Sequence, residues 1–193
     1  MDRKEAKGIG VHVFVDNTNV FTEGQRASSI RLGKSPRYLD KYYVLDYGKL
    51  LYVVMERDTR FLAAIPCMYG SEPPPNDTVW ERVRSEGFDL KVFQRNFFGK
   101  EKRVDMEMGL DIQKMTWECE KPGICCIVAG DEDYVSVVER LHEAKWKVEV
   151  WFWNNASGKL KEAADRFESL NPHIDFIGTR PRKKPSKRKT GKR

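Results

Sequence analysis

The chain of 193 residues has no run approaching the roughly 18 apolar residues of a membrane-spanning helix. Its opening segment MDRKEAKGIG carries charges but no apolar stretch of the signal-peptide kind, so export is not expected. No CxxC pair exists, and Cys67, Cys125 and Cys126 lie in apolar runs, which favours reduced core thiols over disulfides or zinc ligands. There is no GxxxxGK followed by Ser or Thr, no GxGxxG after the first apolar run and no GxSxG, so a phosphate loop, a dinucleotide fingerprint and a nucleophile elbow are all unsupported. No internal repeat is visible.

What is present suits one α/β domain. A hydrophobic fraction of 40% and an aromatic fraction of 11% exclude disorder for the body of the chain. Its length allows a single sizeable core. The net charge of +6 is misleading, because residues 180–193, RPRKKPSKRKTGKR, hold nine Lys or Arg and no acid, leaving −3 on everything before them. With nothing apolar to bury, that tail is expected to be disordered and to attract a polyanion, act as a nuclear address or keep the protein soluble. The expected organisation is a flexible start over 1–8, a folded domain over 9–179 and a basic tail over 180–193.

Apolar runs predict strands at Val11 to Val15, Phe61 to Tyr69, Leu90 to Gln94, Ile124 to Ala129 and Val148 to Phe152, with a weak sixth at Ile174 to Ile177. Helical spacing predicts helices over Tyr47 to Arg57, from Thr78 to a stop at Gly87, over Asp131 to Ala144 and over Gly158 to Leu170. KRVDMEMGLDIQKM fits strand and helix periods alike; its Met, Glu, Leu, Gln and Lys, and the need for a crossover before Ile124, favour a helix. Thr22 to Asp46 is expected as a surface excursion. Alternation of this kind implies a mostly parallel sheet with helices on both faces.

Two of the predicted strands end in carboxylates. VHVFVDNTN places Asp16 after the first, and ICCIVAGDED places Asp131 and Asp133 after the fourth. Ligands of open α/β sheets bind outside the carboxyl ends of the strands, and carboxylates meeting there suit a hard divalent ion such as Mg²⁺ or Mn²⁺. Taken singly, Asp16 also fits an Asx turn, Asp131 a helix N-cap, and Asp133 a first-turn acid favoured by the helix dipole.

DNTN at Asp16 to Asn19, KRVD at Lys102 to Asp105 and AGDEDY at Ala129 to Tyr134 occur in an order that resembles the NYN domain, a branch of the PIN-like nucleases, over roughly residues 9–178. The resemblance implies a three-layer PIN-like fold and a metal-dependent endoribonuclease using Mg or Mn, with Asp16, Asp105 and Asp131 as metal-binding carboxylates. It further implies that Asn19 is the polar partner of the first aspartate and Asp133 a fourth carboxylate. Asp111 matches an acidic position of the family, but six residues on an ideal helix turn about 600°, placing it roughly 120° from Asp105, behind the ligands or in solvent. Arg103 stands where family members often have glycine. A phosphatase of the haloacid dehalogenase type would need a second acid where this chain has Thr18.

A basic and aromatic segment, with Arg95, Phe97, Phe98, Lys100, Lys102 and Arg103, precedes Asp105. Its cations would hold phosphates and its phenylalanines stack bases of single-stranded or looped RNA, unless the phenylalanines fold inward. Arg26, Arg31, Lys34, Arg37 and Tyr38 form a weaker second patch. His12 is expected to pack in the core, His142 and His173 belong to no motif, and Trp151 and Trp153 serve packing first. The expected partner is RNA with no membrane, a homodimer being compatible, and the expected compartment is cytoplasmic, or nuclear if the tail is an address. The alternative function is a non-catalytic RNA-binding module of the same fold.

Overall fold

The structure is a computed structural model that describes residues 10–57, 59–72, 78–94 and 102–180. The expected flexible start and the tail beyond Arg180 lie outside the described residues, as does the segment containing Arg95, Phe97, Phe98 and Lys100.

Six strands form one sheet: β1 (Val11–Asp16), β3 (Cys67–Ser71), β4 (Asp89–Phe93), β5 (Ile124–Val128), β6 (Lys147–Phe152) and β7 (Arg166–Ser169). Their order across the sheet is β4-β3-β1-β5-β6-β7, every pairing parallel. β2 (Val44–Leu45) and β8 (Gly178–Thr179) make a separate antiparallel pair. A parallel sheet must be covered on both faces, which is why its strands are apolar throughout rather than alternating with polar residues.

The two faces carry distinct cores. Val11, Val13 and Val15 of β1, with Met68, Cys126 and Val128, pack under α1 (Asn17–Arg31), α2 (Tyr47–Val54), α3 (Thr78–Ser85) and α7 (Ile174–Ile177). Phe14, Tyr69, Cys125, Ile127, Val148 and Val150 pack under α4 (Lys102–Glu118), α5 (Val135–Glu143) and α6 (Gly158–Ala163). The period-two alternation of each strand sorts its residues between these cores. The layers are therefore helix, sheet and helix, and the α/β fold expected from the sequence is present. Cys125 and Cys126 are buried, Cys67 and Cys119 are partly exposed, and all four are free thiols. Among the described residues no helix is long and apolar enough to cross a membrane.

Three expectations are corrected. The first part of the supposed excursion, residues 22–31, belongs to α1 (Asn17–Arg31), whose buried face is built largely from Asn17, Gly24, Ala27, Ser28 and Ser29, small or polar residues that carry little apolar periodicity. The helix expected over Gly158 to Leu170 stops at Ala163. Asp165 accepts hydrogen bonds from the Val148 amide, 2.7 Å, and from His142, 2.9 Å, and the chain continues as edge strand β7. Ile174 to Ile177, expected as the sixth strand, is instead the one-turn helix α7.

Candidate functional site

Counted in chain order, the six sheet strands lie as 3-2-1-4-5-6, so β1 and β5 flank the point where the order reverses. Crossovers leave in opposite directions there, and a crevice opens beyond the strand ends. Asp16 closes β1, while Gly130 and Asp131 follow β5 into a 3₁₀ turn, Glu132–Tyr134. α4 brings Asp105, in its first turn, to the same place.

Tyr134 joins two of these carboxylates. Its hydroxyl lies 3.2 Å from Asp16 Oδ2 and 3.2 Å from Asp105 Oδ1, and its ring is buried. Asn19 joins the third to the backbone: Nδ2 donates to Asp131 Oδ2 at 2.7 Å, while Oδ1 accepts from the Gly130 amide at 2.9 Å. A side chain at Gly130 would collide with the Phe152 ring, so glycine there lets the end of β5 pack directly against β6. Asp16 also caps α1, accepting from the Asn19 amide at 3.1 Å. The turn-forming alternative for Asp16 is thus realised together with its place in the cluster, whereas the Asp131 side chain caps nothing.

The electrostatics are those of crowded anions. Asp16 is 2% exposed, and burial, then the nearby Asp105 charge, hold its carboxyl well above the usual range despite the Asn19 amide and Tyr134 hydroxyl. Burial raises Asp131 as well, reinforced by Asp105, Asp133 and Glu23 and opposed by Asn19. Asp133 is exposed and shares with Asp105 a cavity of about 580 Å³ between α4 and α5, walled by Met106, Leu110 and Val137 with Arg140 at its side.

The donor set fits a hard divalent ion, being all oxygen and excess negative charge. Its present hydrogen bonding, through Tyr134 and Asn19, holds the carboxylates as a network. Among the described residues no three acidic, histidine or cysteine side chains are closed into a ready cage.

The remaining candidates are placed as follows. Asp111 is not in this cluster: it accepts from Lys91 Nζ at 2.6 Å and from the Tyr69 hydroxyl at 2.7 Å, beside a different cavity that includes His12 and Cys119. Tyr69 stands in register with Asp16 across the β1–β3 pair, so Asp111 buttresses the strand beside the cluster. Arg103 is exposed, pairs with Glu107 at 3.2 Å and lies 4.9 Å over the Phe93 ring. Lys102 is the first residue of α4. In the second basic patch, Arg31 is engaged by Asp175 and Arg26 by Glu23 and the Pro36 carbonyl. His12 packs edge-on against Trp146 but is only partly buried, lining the same cavity as Asp111 and Cys119 rather than sitting in the core. Sequence reasoning missed Tyr134 as a linking residue, although it is the last letter of the AGDEDY motif, one 3₁₀ turn beyond Asp131.

The chain is thus an α/β domain with acids gathered at its topological switch point. The family model of the NYN domain matches residues 10–171, and the chain belongs to that family. The family has a PIN-like nuclease fold, which places the chain in general terms among nuclease-type hydrolases, whose members generally use divalent metal ions. Among solved structures the chain is similar to a protein of unknown function from Vibrio parahaemolyticus, with 20% identity and a TM-score of 0.66 over 86% of this chain and 96% of that one. This likeness concerns the fold alone. No curated protein matches the chain.

Proposed function

We propose that the protein is a metal-dependent endoribonuclease acting on single-stranded or looped RNA. The observation that carries the reading is the convergence of Asp16, Asp105 and Asp131 from β1, α4 and the end of β5 on one Tyr134–Asn19 network. Asp16, Asp105 and Asp131, with Asp133 at the margin, would hold Mg²⁺ or Mn²⁺, which supplies Lewis acidity and neutralises phosphodiester charge. The chain's own contribution is positional. Tyr134 fixes the spacing of Asp16 and Asp105, Asn19 fixes the rotamer of Asp131, and burial of Asp16 keeps bulk water from screening the centre. Arg140, on the cavity that also contains Asp105 and Asp133, is placed to meet a substrate phosphate.

The test is cleavage of an end-labelled, unstructured RNA by the full chain with Mn²⁺, with EDTA, and by Asp16→Asn. Cleavage that EDTA and Asp16→Asn both abolish supports the proposal. RNA binding with no divalent-dependent cleavage would leave the RNA-binding module as the function.

A further inference from the structure

α4 is apolar on two opposite faces. Val104, Met108, Ile112 and Met115 pack into the core, none more than 7% exposed. Met106, Leu110 and Trp117, on the other side of the helix, are 60%, 60% and 79% exposed, and Trp117 is the most exposed large hydrophobic among the described residues. A surface helix ordinarily has one apolar stripe and a polar face opposite it. A second stripe centred on exposed large side chains marks a surface that another chain covers.

The stripe has the form of a helix-packing seam. Met106, Leu110, Gln113 and Trp117 follow one another at intervals of four, three and four residues, the alternation by which two helices interlock. Gln113 is its polar member, and its Nε2 already donates to Thr116 Oγ1 at 3.0 Å. The intervals read the same from either end, so the seam fits a reversed copy of itself. Met106 then lies on Trp117 of the second copy and Leu110 on its Gln113, each contact occurring twice about a two-fold axis. The edges of the seam agree with this pairing. Glu107 and Lys114 share one edge, and reversal sets Glu107 beside Lys114 of the second copy and Lys114 beside its Glu107. Within the single chain these two charges are held only by partners on α4 itself, Arg103–Glu107 at 3.2 Å and Lys114–Glu118 at 3.4 Å, at the surface where an ion pair contributes little. The other edge carries Gly109 and Thr116, small enough for the two helices to approach closely.

We infer that α4 is a homodimer interface, on which a second copy of this chain packs its own α4 in the opposite direction. The occupant is specified by self-complementarity, since spacing and charge both match on reversal, as an isologous contact requires. The inference does not depend on the chemistry at the acidic centre. On an ideal helix Asp105 lies about 130° from the seam, so pairing leaves both acidic crevices open. The two Asp105 residues come to opposite ends of the pair, about 20 Å apart along the helix direction.

The experiment is sedimentation equilibrium of the full chain over a concentration series. The expected mass is twice 22.5 kDa, falling to 22.5 kDa in Trp117→Glu and in Leu110→Lys, both at exposed positions and both checked for native folding by circular dichroism. Glu107→Lys and Lys114→Glu should each weaken the dimer about tenfold, because each sets two like-charged pairs across the seam. An equimolar mixture of these two variants should dimerise as the unaltered chain does, since every cross-seam pair is then of opposite charge. Rearranged ion pairs within one α4 could not produce that rescue. A chain that stays monomeric overturns the inference, and if Trp117→Glu then weakens RNA binding, the seam is a nucleic-acid surface instead. A dimer unaffected by Trp117→Glu and Leu110→Lys lies on another face and overturns it too, as does failure of the mixture to recover.

Discussion

Tyr134 and Asp16 come from opposite halves of the chain, yet the tyrosine hydroxyl sits 3.2 Å from the buried carboxylate and equally close to Asp105. One phenol thus spans two carboxyl groups that would otherwise face each other. Tyr134→Phe keeps the packed ring and removes only this link. It should cost about 1–2 kcal/mol in urea unfolding, the usual toll of leaving buried hydrogen-bonding groups without a partner, and it should lower cleavage because Asp16 and Asp105 lose their fixed spacing. Unchanged stability and unchanged rate would show that the hydroxyl is a bystander.

Crowded carboxylates favour a bound cation, so millimolar Mn²⁺ should raise the melting temperature of the native protein. Binding to the folded state alone stabilises by about 2.7 kcal/mol at a hundredfold excess over Kd. Asp131→Asn should blunt this shift. Differential scanning fluorimetry with and without Mn²⁺ makes the comparison, and equal shifts in both proteins would locate the ion elsewhere.

Asp40 offers a pH test away from the candidate centre. Burial by itself would raise its carboxyl, but hydrogen bonds from Arg180, Ser28 and the Tyr42 amide, and the Arg180 charge, hold it below the usual range. A depressed folded-state value means that the stabilisation is complete above the ordinary carboxylate range and is lost as pH falls through the depressed value. Arg180→Ala should therefore flatten the acid limb of a stability–pH curve. It should also cost about 1–2 kcal/mol at neutral pH, less than a fully buried pair because Arg180 is partly in water.

The same ion pair shows where the basic tail should be cut. Arg180 is tied to the domain through Asp40, 2.7 Å away, so a chain ending at Arg180 keeps that anchor and drops the remaining basic residues. If those residues attract RNA, removing them should weaken binding and reduce the salt dependence by a slope of roughly 0.7 per phosphate released. Turnover at saturating RNA should change much less. Binding curves at two salt concentrations decide it, and identical slopes would leave targeting or solubility as the tail's role.

The central strands were legible because a parallel strand buried on both faces has to be apolar, and runs such as ICCIV leave little choice. The carboxylates were legible because they interrupt those runs. What escaped was built from residues without a strong local signature. α1 buries Gly24, Ser28 and Ser29 rather than a leucine stripe, and β7 is an edge strand whose Arg166 and Glu168 resemble the exposed face of a helix. Ile174 to Ile177 is apolar enough for a strand, but it follows a 3₁₀ turn at Asn171–His173 and continues as a helical turn. Tyr134 was present in the sequence but not interpretable there, since its role depends on Asp16 and Asp105, which only the fold brings near it.

That order also has a temporal side. β1 is made first and lies in the middle of the sheet, but its neighbours arrive much later in synthesis, β3 from Cys67 and β5 from Ile124. Pairings so distant in sequence form slowly and cooperatively, and domains emerge from the ribosome before their non-local contacts can close. The acidic centre is therefore assembled only when α4 and β5 have both docked on β1. Nascent fragments carry Asp16 but not the assembled centre, whose last members, Asp131 and Tyr134, follow β5 more than a hundred residues later.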